Sequence, residues 1–183
     1  MVKESPPTNI SARYLEALCG EDPLVIQKKA PKRLKKLLRG LSDKELEKKP
    51  APDKWSIKEV IAHLADHEVV YGFRLRCVAA LDRPLLAGYD QDLFMTKLGH
   101  SNTTTKELFD AYAAARAANH ALVERLEESA FERVGIHAER GEETLRTIVT
   151  RNAGHDMLHE QQVERTKTAV LAKTKKSKKK SAK

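Results

Sequence analysis

Apolar residues recur at helical spacing along most of the chain and predict four major helices. The clearest helix start is the S-x-x-E capping box of Ser56 and Glu59, which predicts a long helix from about Ser56 to Leu81. Its buried stripe is predicted to consist of Ile57, Val60, Ile61, Leu64, Tyr71, Leu75 and Val78.

Two further amphipathic segments follow in the second half of the chain. The segment "TKELFDAYAAARAANHALVERLEE" predicts a helix whose buried stripe includes Asn119 among apolar residues: Leu108, Tyr112, Ala115, Leu122 and Leu126. A final helix is predicted from about Thr144 to Lys167. The segment "GIHAERGEE" before it is predicted to be a loop. Residues 84–104 form a long connection with a helical turn at "DLFMTKL", and such a long loop in a compact bundle is often functional.

The first quarter of the chain predicts shorter pieces. "SARYLEALCG" is predicted to form a short helix ended by Gly20, and "SDKELEKKPAP" a single helical turn. Between them, Pro31 is expected to break the helix that begins at Pro23. We therefore predict an all-α four-helix bundle with extra short helices. The predicted domains are a leader at 1–21, the bundle at 22–167 and a disordered basic C-terminal tail at 168–183.

The composition agrees with one helical domain. The chain has 183 residues, only 5% of them aromatic, and few glycines and prolines. Its two cysteines, Cys19 and Cys77, do not form a CxxC motif, and no apolar leader precedes the domain, so we expect a cytoplasmic protein. No apolar run reaches the roughly 20 residues that span a bilayer.

The net charge of +8 is concentrated at the C-terminus. Seven lysines lie in "AKTKKSKKKSAK", and without them the chain is close to +1. A basic nucleic-acid-binding face on the domain is therefore not indicated. The tail is expected to be disordered, and either solubilises the protein or contacts polyanions weakly and in a salt-dependent way.

Polar residues interrupt the apolar face of the predicted last helix. Leu145, Ile148, Val149 and Val163 define that face, and the same sector contains Asn152, His155, Asp156 and His159. Because His155 and His159 are one turn apart, about 6 Å along the axis, both imidazoles can reach one metal ion.

The capped helix carries a second pair, His63 and His67, followed by Glu68. Facing helices of a bundle can bring such pairs together in the core, so a third ligand is expected here. Periodicity slightly favours His67 over His63. Glu68 is expected either to join the site or to pair with an arginine. The histidines without such context are expected in loops or at the surface: His100, His120 and His137.

Three segments together resemble the DinB-like (DinB/YfiT) superfamily of metal-binding four-helix bundles: "KWSIKEVIAHLADHE", "YDQD" and "GEETLRTIVTRNAGHDMLHEQQVER". The resemblance covers roughly residues 22–167. The histidine that the family has eight residues after the tryptophan corresponds to His63, which follows Trp55. The terminal H-x-x-x-H of the family corresponds to His155 and His159. The resemblance thus implies His63 as the third ligand, against the periodicity.

The resemblance also implies a divalent ion, commonly nickel or zinc, with open positions filled by water. Three neutral imidazoles suit either metal and leave room for substrate. The resemblance therefore leads us to expect a metal-dependent enzyme that acts on a small electrophilic molecule. The enzyme would be either a hydrolase or a thiol-dependent transferase, and the transferase would use a low-molecular-weight thiol as its partner.

Two other hypotheses stay open, a noncatalytic bundle with a structural ion and a nucleic-acid binder acting through its tail. A homodimer is compatible with the sequence but is not required by it. No catalytic residue is identified. The candidates for orienting ligands or moving protons are Asp66, His67, Glu68, Asp156 and Gln162.

Overall fold

The computed structural model describes residues 12–181, with side chains described up to residue 173. The first part of the predicted leader, 1–11, and the end of the predicted tail, 182–183, lie outside the described residues. The helices and strands are α1 Ala12–Leu18, α2 Pro23–Leu38, α3 Asp43–Leu46, α4 Ile57–Ala80, β1 Leu85–Leu86, α5 Gln91–Lys97, α6 Thr105–Glu124, β2 Val134–His137, β3 Gly141–Thr144 and α7 Leu145–Ser181.

Four long helices, α2, α4, α6 and α7, form the predicted bundle. Helix α4 packs against α6 and α7, and α2 packs against the same two helices from the other side. The long helices begin where the sequence supplies caps. Ser56 accepts a hydrogen bond from the Glu59 backbone N–H (3.2 Å), and Thr104 does the same for Glu107 (3.2 Å). Among the described residues, no helix is long and apolar enough to cross a membrane.

Three differences from the predicted helices concern their ends and continuity. Pro31 lies inside α2 without ending it, because α2 is held by its packing on α6 and α7. Helix α1 packs on α7, so this part of the leader belongs to the packed body. Helix α7 continues beyond the predicted end at Lys167 to Ser181, so it extends through most of the predicted tail, and Val170 is fully buried.

A small sheet was not predicted. The segment expected to be a loop, "GIHAERGEE", forms most of the antiparallel hairpin β2–β3, and β1 pairs in parallel with β2. The strand order is β1-β2-β3. In β2 the buried positions are Gly135 and His137, whereas Ile136 is only half-buried. The buried positions of β2 are thus a glycine and a histidine, whereas its apolar residues are half-buried. The segment therefore lacks the alternation of apolar and polar residues by which a strand is recognised in a sequence.

Two large apolar clusters lie along α4 with a polar layer between them, and a third, smaller cluster joins α1, α2 and α7. The first contains Ile57, Ile61 and Leu64 of α4, and the second contains Tyr71, Leu75 and Val78 of the same helix. Between these clusters the helices bury polar side chains: His63, Glu68, Arg116, Asn119, Asn152, His155 and Asp156. The predicted stripe of α6 is rotated slightly, since Arg116 and Val123 are buried while Ala115, Leu122 and Leu126 are half-buried.

Candidate metal centre

Two helices bring three histidines together in the polar layer. His63 comes from α4, and His155 and His159 lie one turn apart on α7. One ring nitrogen of each residue lies within 4.8 Å of the others, and the Nε2 atoms of His63 and His155 are 3.0 Å apart. The ring centroid of His159 is 4.7 Å from that of His63 and 4.3 Å from that of His155. This group, the His triad, could hold one metal ion.

His67 lies beside the His triad but has other partners. Its Nε2–H donates to Asn152 Oδ1 (2.9 Å), and its Nδ1 accepts a hydrogen bond from the Tyr89 hydroxyl (3.0 Å). Its ring stacks on His155 with centroids 4.0 Å apart. Both nitrogens of His67 are therefore occupied. The small preference that periodicity gave to His67 came from its position on the helix, whereas the side-chain directions bring His63 to the other two imidazoles.

Burial keeps the imidazoles of the His triad neutral. It lowers the pKa of His63 from 6.5 to about 2 and that of His159 to about 4, and it also lowers the pKa of His155. The neighbouring imidazoles add to this effect for His63 and His155. Neutral imidazole is the form that binds metals, so the donor set fits a divalent ion such as zinc or nickel.

Two hydrogen-bonding details also agree with a metal centre. Gln162 accepts a hydrogen bond from His159 Nδ1–H through Oε1 (2.9 Å), which leaves the other ring nitrogen of His159 as a lone-pair donor. His155 Nδ1 is buried without a hydrogen-bond partner among the described residues. Gln162, one of the predicted orienting residues, thus holds the ring of a candidate ligand, His159, through a hydrogen bond.

A buried ionic cluster lies next to the His triad. Arg116 donates to both carboxylate oxygens of Asp156 (2.6 and 2.7 Å) and to Glu68 Oε1 (2.7 Å). Asn152 Nδ2–H also donates to Glu68 (3.3 Å), so the hydrogen bonds run from Tyr89 through His67 and Asn152 to this cluster. The alternative that Glu68 pairs with an arginine is therefore the one observed. Asp156 likewise supports the site through Arg116 rather than at the triad.

A cavity of about 190 Å³ opens beside the His triad. His63, His67 and His155 form part of its wall. The other lining residues come from α1, α4, the long connection, the hairpin and α7: Tyr14, Tyr71, Arg74, Tyr89, Gln91, Arg140, Glu143, Ile148, Arg151 and Asn152. The long connection supplies Tyr89 and Gln91 to the cavity wall. This position beside the candidate metal centre agrees with the expectation that the connection has a functional role.

The remaining predicted positions lie outside the His triad. Asp66 pairs with His100 Nε2 (2.8 Å), away from the His triad. His120 and His137 are buried, at 8% and 2% exposure, so the expectation of surface or loop positions was wrong for both. His137 lies in β2, and its Nδ1 accepts from the backbone N–H of Glu139 (3.1 Å). The sequence missed Arg116, whose only signal was its position beside Tyr112 and Asn119 on the α6 stripe.

Comparisons with known proteins agree on a family. Residues 28–163 match the DinB superfamily. The chain is also similar in structure to YfiT from Bacillus subtilis, described as a probable metal-dependent hydrolase with an unusual four-helix bundle topology. The TM-score is 0.69 at 17% sequence identity, over 88% of this chain and 91% of YfiT, which establishes the shared fold. No curated protein sequence matches the chain.

Proposed function

The chain belongs to the DinB superfamily, and from this premise we propose that it is a metal-dependent enzyme, in the first place a hydrolase of small electrophilic molecules. His63, His155 and His159 bind one divalent ion, zinc or nickel. The observation that carries the proposal is the grouping of three neutral imidazoles from two helices, two of which, His63 and His155, line a cavity. YfiT, with the same fold, is described as a probable metal-dependent hydrolase.

When bound, the ion would act as a Lewis acid that polarises a substrate carbonyl and lowers the pKa of a coordinated water toward neutrality. Gln162 fixes the ring of His159, and His67 packs on the ring of His155. Burial raises the pKa of Tyr89 to about 12, so its hydroxyl keeps its proton. Tyr89 therefore donates a hydrogen bond to His67 Nδ1 and does not act as a general base.

A thiol-dependent transferase uses the same parts. Both activities need an open coordination position and a cavity for the electrophile, and differ in whether water or a low-molecular-weight thiol attacks. A cavity of about 190 Å³ holds a small electrophile more readily than a bulky one. We place the hydrolase first because of the description given to YfiT.

The alternative of a purely structural ion requires a fourth protein ligand. In the described part of the chain, the candidate group contains only three residues. His67 is bonded to Asn152 and Tyr89, and Glu68 to Arg116, Asn119 and Asn152, so neither predicted fourth ligand is available. Three ligands and an adjacent cavity are typical of catalytic sites.

The test compares metal content and activity in the same preparations. Purified full-length protein is loaded with zinc or nickel, and its metal is measured by mass spectrometry. One equivalent is expected in the wild type and in His100→Ala, a control histidine outside the triad, and little in His155→Ala and His159→Ala. A full equivalent with unchanged affinity in both triad variants would contradict the site.

Activity is then assayed with a panel of esters and amides, and separately with low-molecular-weight thiols and generic electrophiles. Turnover that requires metal and disappears in folded His159→Ala supports an enzyme, and the panel that responds assigns the reaction class. Stabilisation by metal without turnover of either panel would support the structural alternative.

A further inference from the structure

The cavity beside the His triad contains more positive than negative charge. Three arginines line it, Arg74, Arg140 and Arg151, and the only carboxylate among its lining residues is Glu143. Neutral histidines, tyrosines and amides make up most of the remaining polar wall. The fixed side-chain charge of the cavity is therefore about +2 before any metal binds.

Glu143 is fully engaged with two of these arginines. Its Oε1 accepts from Arg140 Nε–H and Arg151 Nη1–H, both at 2.6 Å, and its side chain is completely buried. The pKa of Glu143 lies below its ordinary value because these hydrogen bonds and charges outweigh its burial. Glu143 is thus ionised and neutralises one guanidinium. Its contacts also fix the positions of both arginines on the hairpin and on α7.

Arg74 is a buried cation that has no ion partner among the described residues, although its guanidinium lies 5.9 Å from the centre of the Tyr89 ring. It is only 8% exposed and donates through Nη2 to the carbonyl oxygen of Ala87 (2.5 Å). Its Nε–H is buried without a hydrogen-bond partner, and among the described residues no carboxylate forms an ion pair with it. A buried charge without an anion is costly, so a group that persists in this state indicates a partner that is not part of the chain.

We propose that this cavity binds a small molecule carrying an oxyanion group, with Arg74 as its primary contact and the Arg140–Arg151 pair as a second source of positive charge. A guanidinium fork matches the geometry of carboxylate and phosphate oxygens. Because the same cavity borders the His triad, the proposal deepens the proposed function and rests on it for one point, that the anion belongs to the substrate.

The oxyanion would orient the substrate with respect to the metal centre. His63 and His155 form one part of the cavity wall and Arg74 another, so an anionic group held at Arg74 positions the rest of a short molecule at the triad. Arg74 is in this sense a positioning and specificity residue. The substrate class that follows is a small carboxylate or phosphate that also carries a hydrolysable or electrophilic group.

The experiment measures anion binding separately from metal binding. Malonate, inorganic phosphate and the neutral isostere malonamide are titrated by calorimetry into full-length protein, metal-loaded and metal-free, at about 0.15 M salt, where exposed charges are largely screened. The metal-free arm excludes direct chelation by malonate. Wild-type protein is expected to bind malonate or phosphate and not malonamide, and the preferred anion identifies the carboxylate or phosphate class.

Two matched arginine variants locate the binding. Arg74→Met is expected to weaken anion binding by about tenfold or more, since a charge-assisted hydrogen bond is lost. Arg76→Met is the control, because Arg76 lies on the same helix and also donates to a backbone carbonyl, Gly72 O (2.7 Å), but does not line the cavity. This variant is expected to change anion affinity less than about twofold.

Stability without ligand distinguishes a binding residue from a structural one. Because Arg74 lacks an ion partner, Arg74→Met is expected to unfold at the same or a higher temperature than the wild type when no anion is present. Added anion should raise the unfolding temperature of the wild type but not that of Arg74→Met.

The two proposals can fail separately. Unchanged anion affinity in Arg74→Met, or equal binding of malonate and malonamide, overturns the anion site even if one equivalent of metal is bound. Conversely, Arg74-dependent malonate or phosphate binding in a wild-type protein that takes up no metal would retain the anion site and refute the metal centre.

Discussion

His63 and His67 lie one helical turn apart on α4, yet they have different environments. His63 reaches the two histidines of α7, whereas His67 is held by Asn152 and Tyr89. Replacing each histidine therefore tests which one is the third ligand.

We expect His63→Ala to lose at least about tenfold in metal affinity, because one of three donors is removed. His67→Ala should keep one equivalent of metal with a smaller loss, because His67 supports the His triad by stacking on His155 and supplies no donor atom to it. Competition with a chromophoric chelator measures both affinities. Equal losses in the two variants would show that His67 is a ligand as well.

The depressed histidine pKa values predict the acid sensitivity of the metal-free protein. Burial lowers the pKa of His63 to about 2, of His67 to about 3 and of His159 to about 4, each from 6.5. Between pH 6.5 and pH 4 the unfolded chain therefore binds more protons than the folded chain. The free energy of unfolding is expected to fall as the pH falls, by up to about 1.4 kcal/mol per pH unit for each histidine.

Urea unfolding of metal-free protein at a series of pH values from 7 to 4 measures this slope. His159→Ala should have a shallower slope than the wild type, because one of the histidines that stay neutral in the folded state is gone. A free energy of unfolding that is constant or increases toward pH 4 would contradict neutral, buried imidazoles.

Among the elements, α4 depends on a local signal at its start. Ser56 and Glu59 cap each other, with the Ser56 backbone N–H donating to Glu59 Oε2 at 2.7 Å. Ser56→Ala is expected to reduce the free energy of unfolding by about 1 kcal/mol, within the range of roughly 0.5 to 2 kcal/mol that a lost N-cap costs. Denaturant unfolding measures the change, and the exposed residue Ser101, replaced by Ala, is the control. No loss in Ser56→Ala relative to Ser101→Ala would show that the cap does not stabilise α4.

The hairpin β2–β3 shows the limit of such local signals. Its strands are short, and Gly135 is packed so closely that an added Cβ would lie 2.7 Å from Val78 and 2.8 Å from Leu86. The reason for a glycine at this position lies in α4 and β1, so the sequence of the hairpin does not reveal it. The same hairpin carries Arg140 and Glu143 to the cavity.

Across the whole molecule, Arg116 joins three of the four long helices. It lies on α6 and bonds Glu68 of α4 and Asp156 of α7, with all three side chains at most 2% exposed. The cluster holds the helices that carry the His triad in one arrangement.

Arg116→Met is expected to cost about 3 to 5 kcal/mol of unfolding free energy, because it leaves two buried carboxylates without a cation. Arg146→Met is the matched control, since Arg146 also binds two carboxylates, Glu128 and Glu132, but is half exposed. Its loss should stay below about 1 kcal/mol. Similar losses in both variants, measured by denaturant unfolding, would contradict a dominant role for the buried cluster.

The sequence by itself determined the features that depend on neighbours in the chain. Helical periodicity predicted α4, α6 and the start of α7, and a capping box predicted where α4 begins, because these signals act within one or two turns. The spacing of His155 and His159 predicted two donors on one face for the same reason. The resemblance to the DinB-like family added His63, which periodicity had slightly disfavoured. The metal itself, the cytoplasmic location and a homodimer stay predictions.

The tertiary structure decided which polar groups face each other. His63 rather than His67 reaches α7, Glu68 pairs with Arg116, and Arg74 borders the cavity, since each depends on the rotation and distance of a partner helix. The strand pairing and the continuation of α7 past Lys167 also depend on contacts between distant segments. Local pattern cannot specify such contacts, because the energy of a buried polar group is set by the partner it meets across the core.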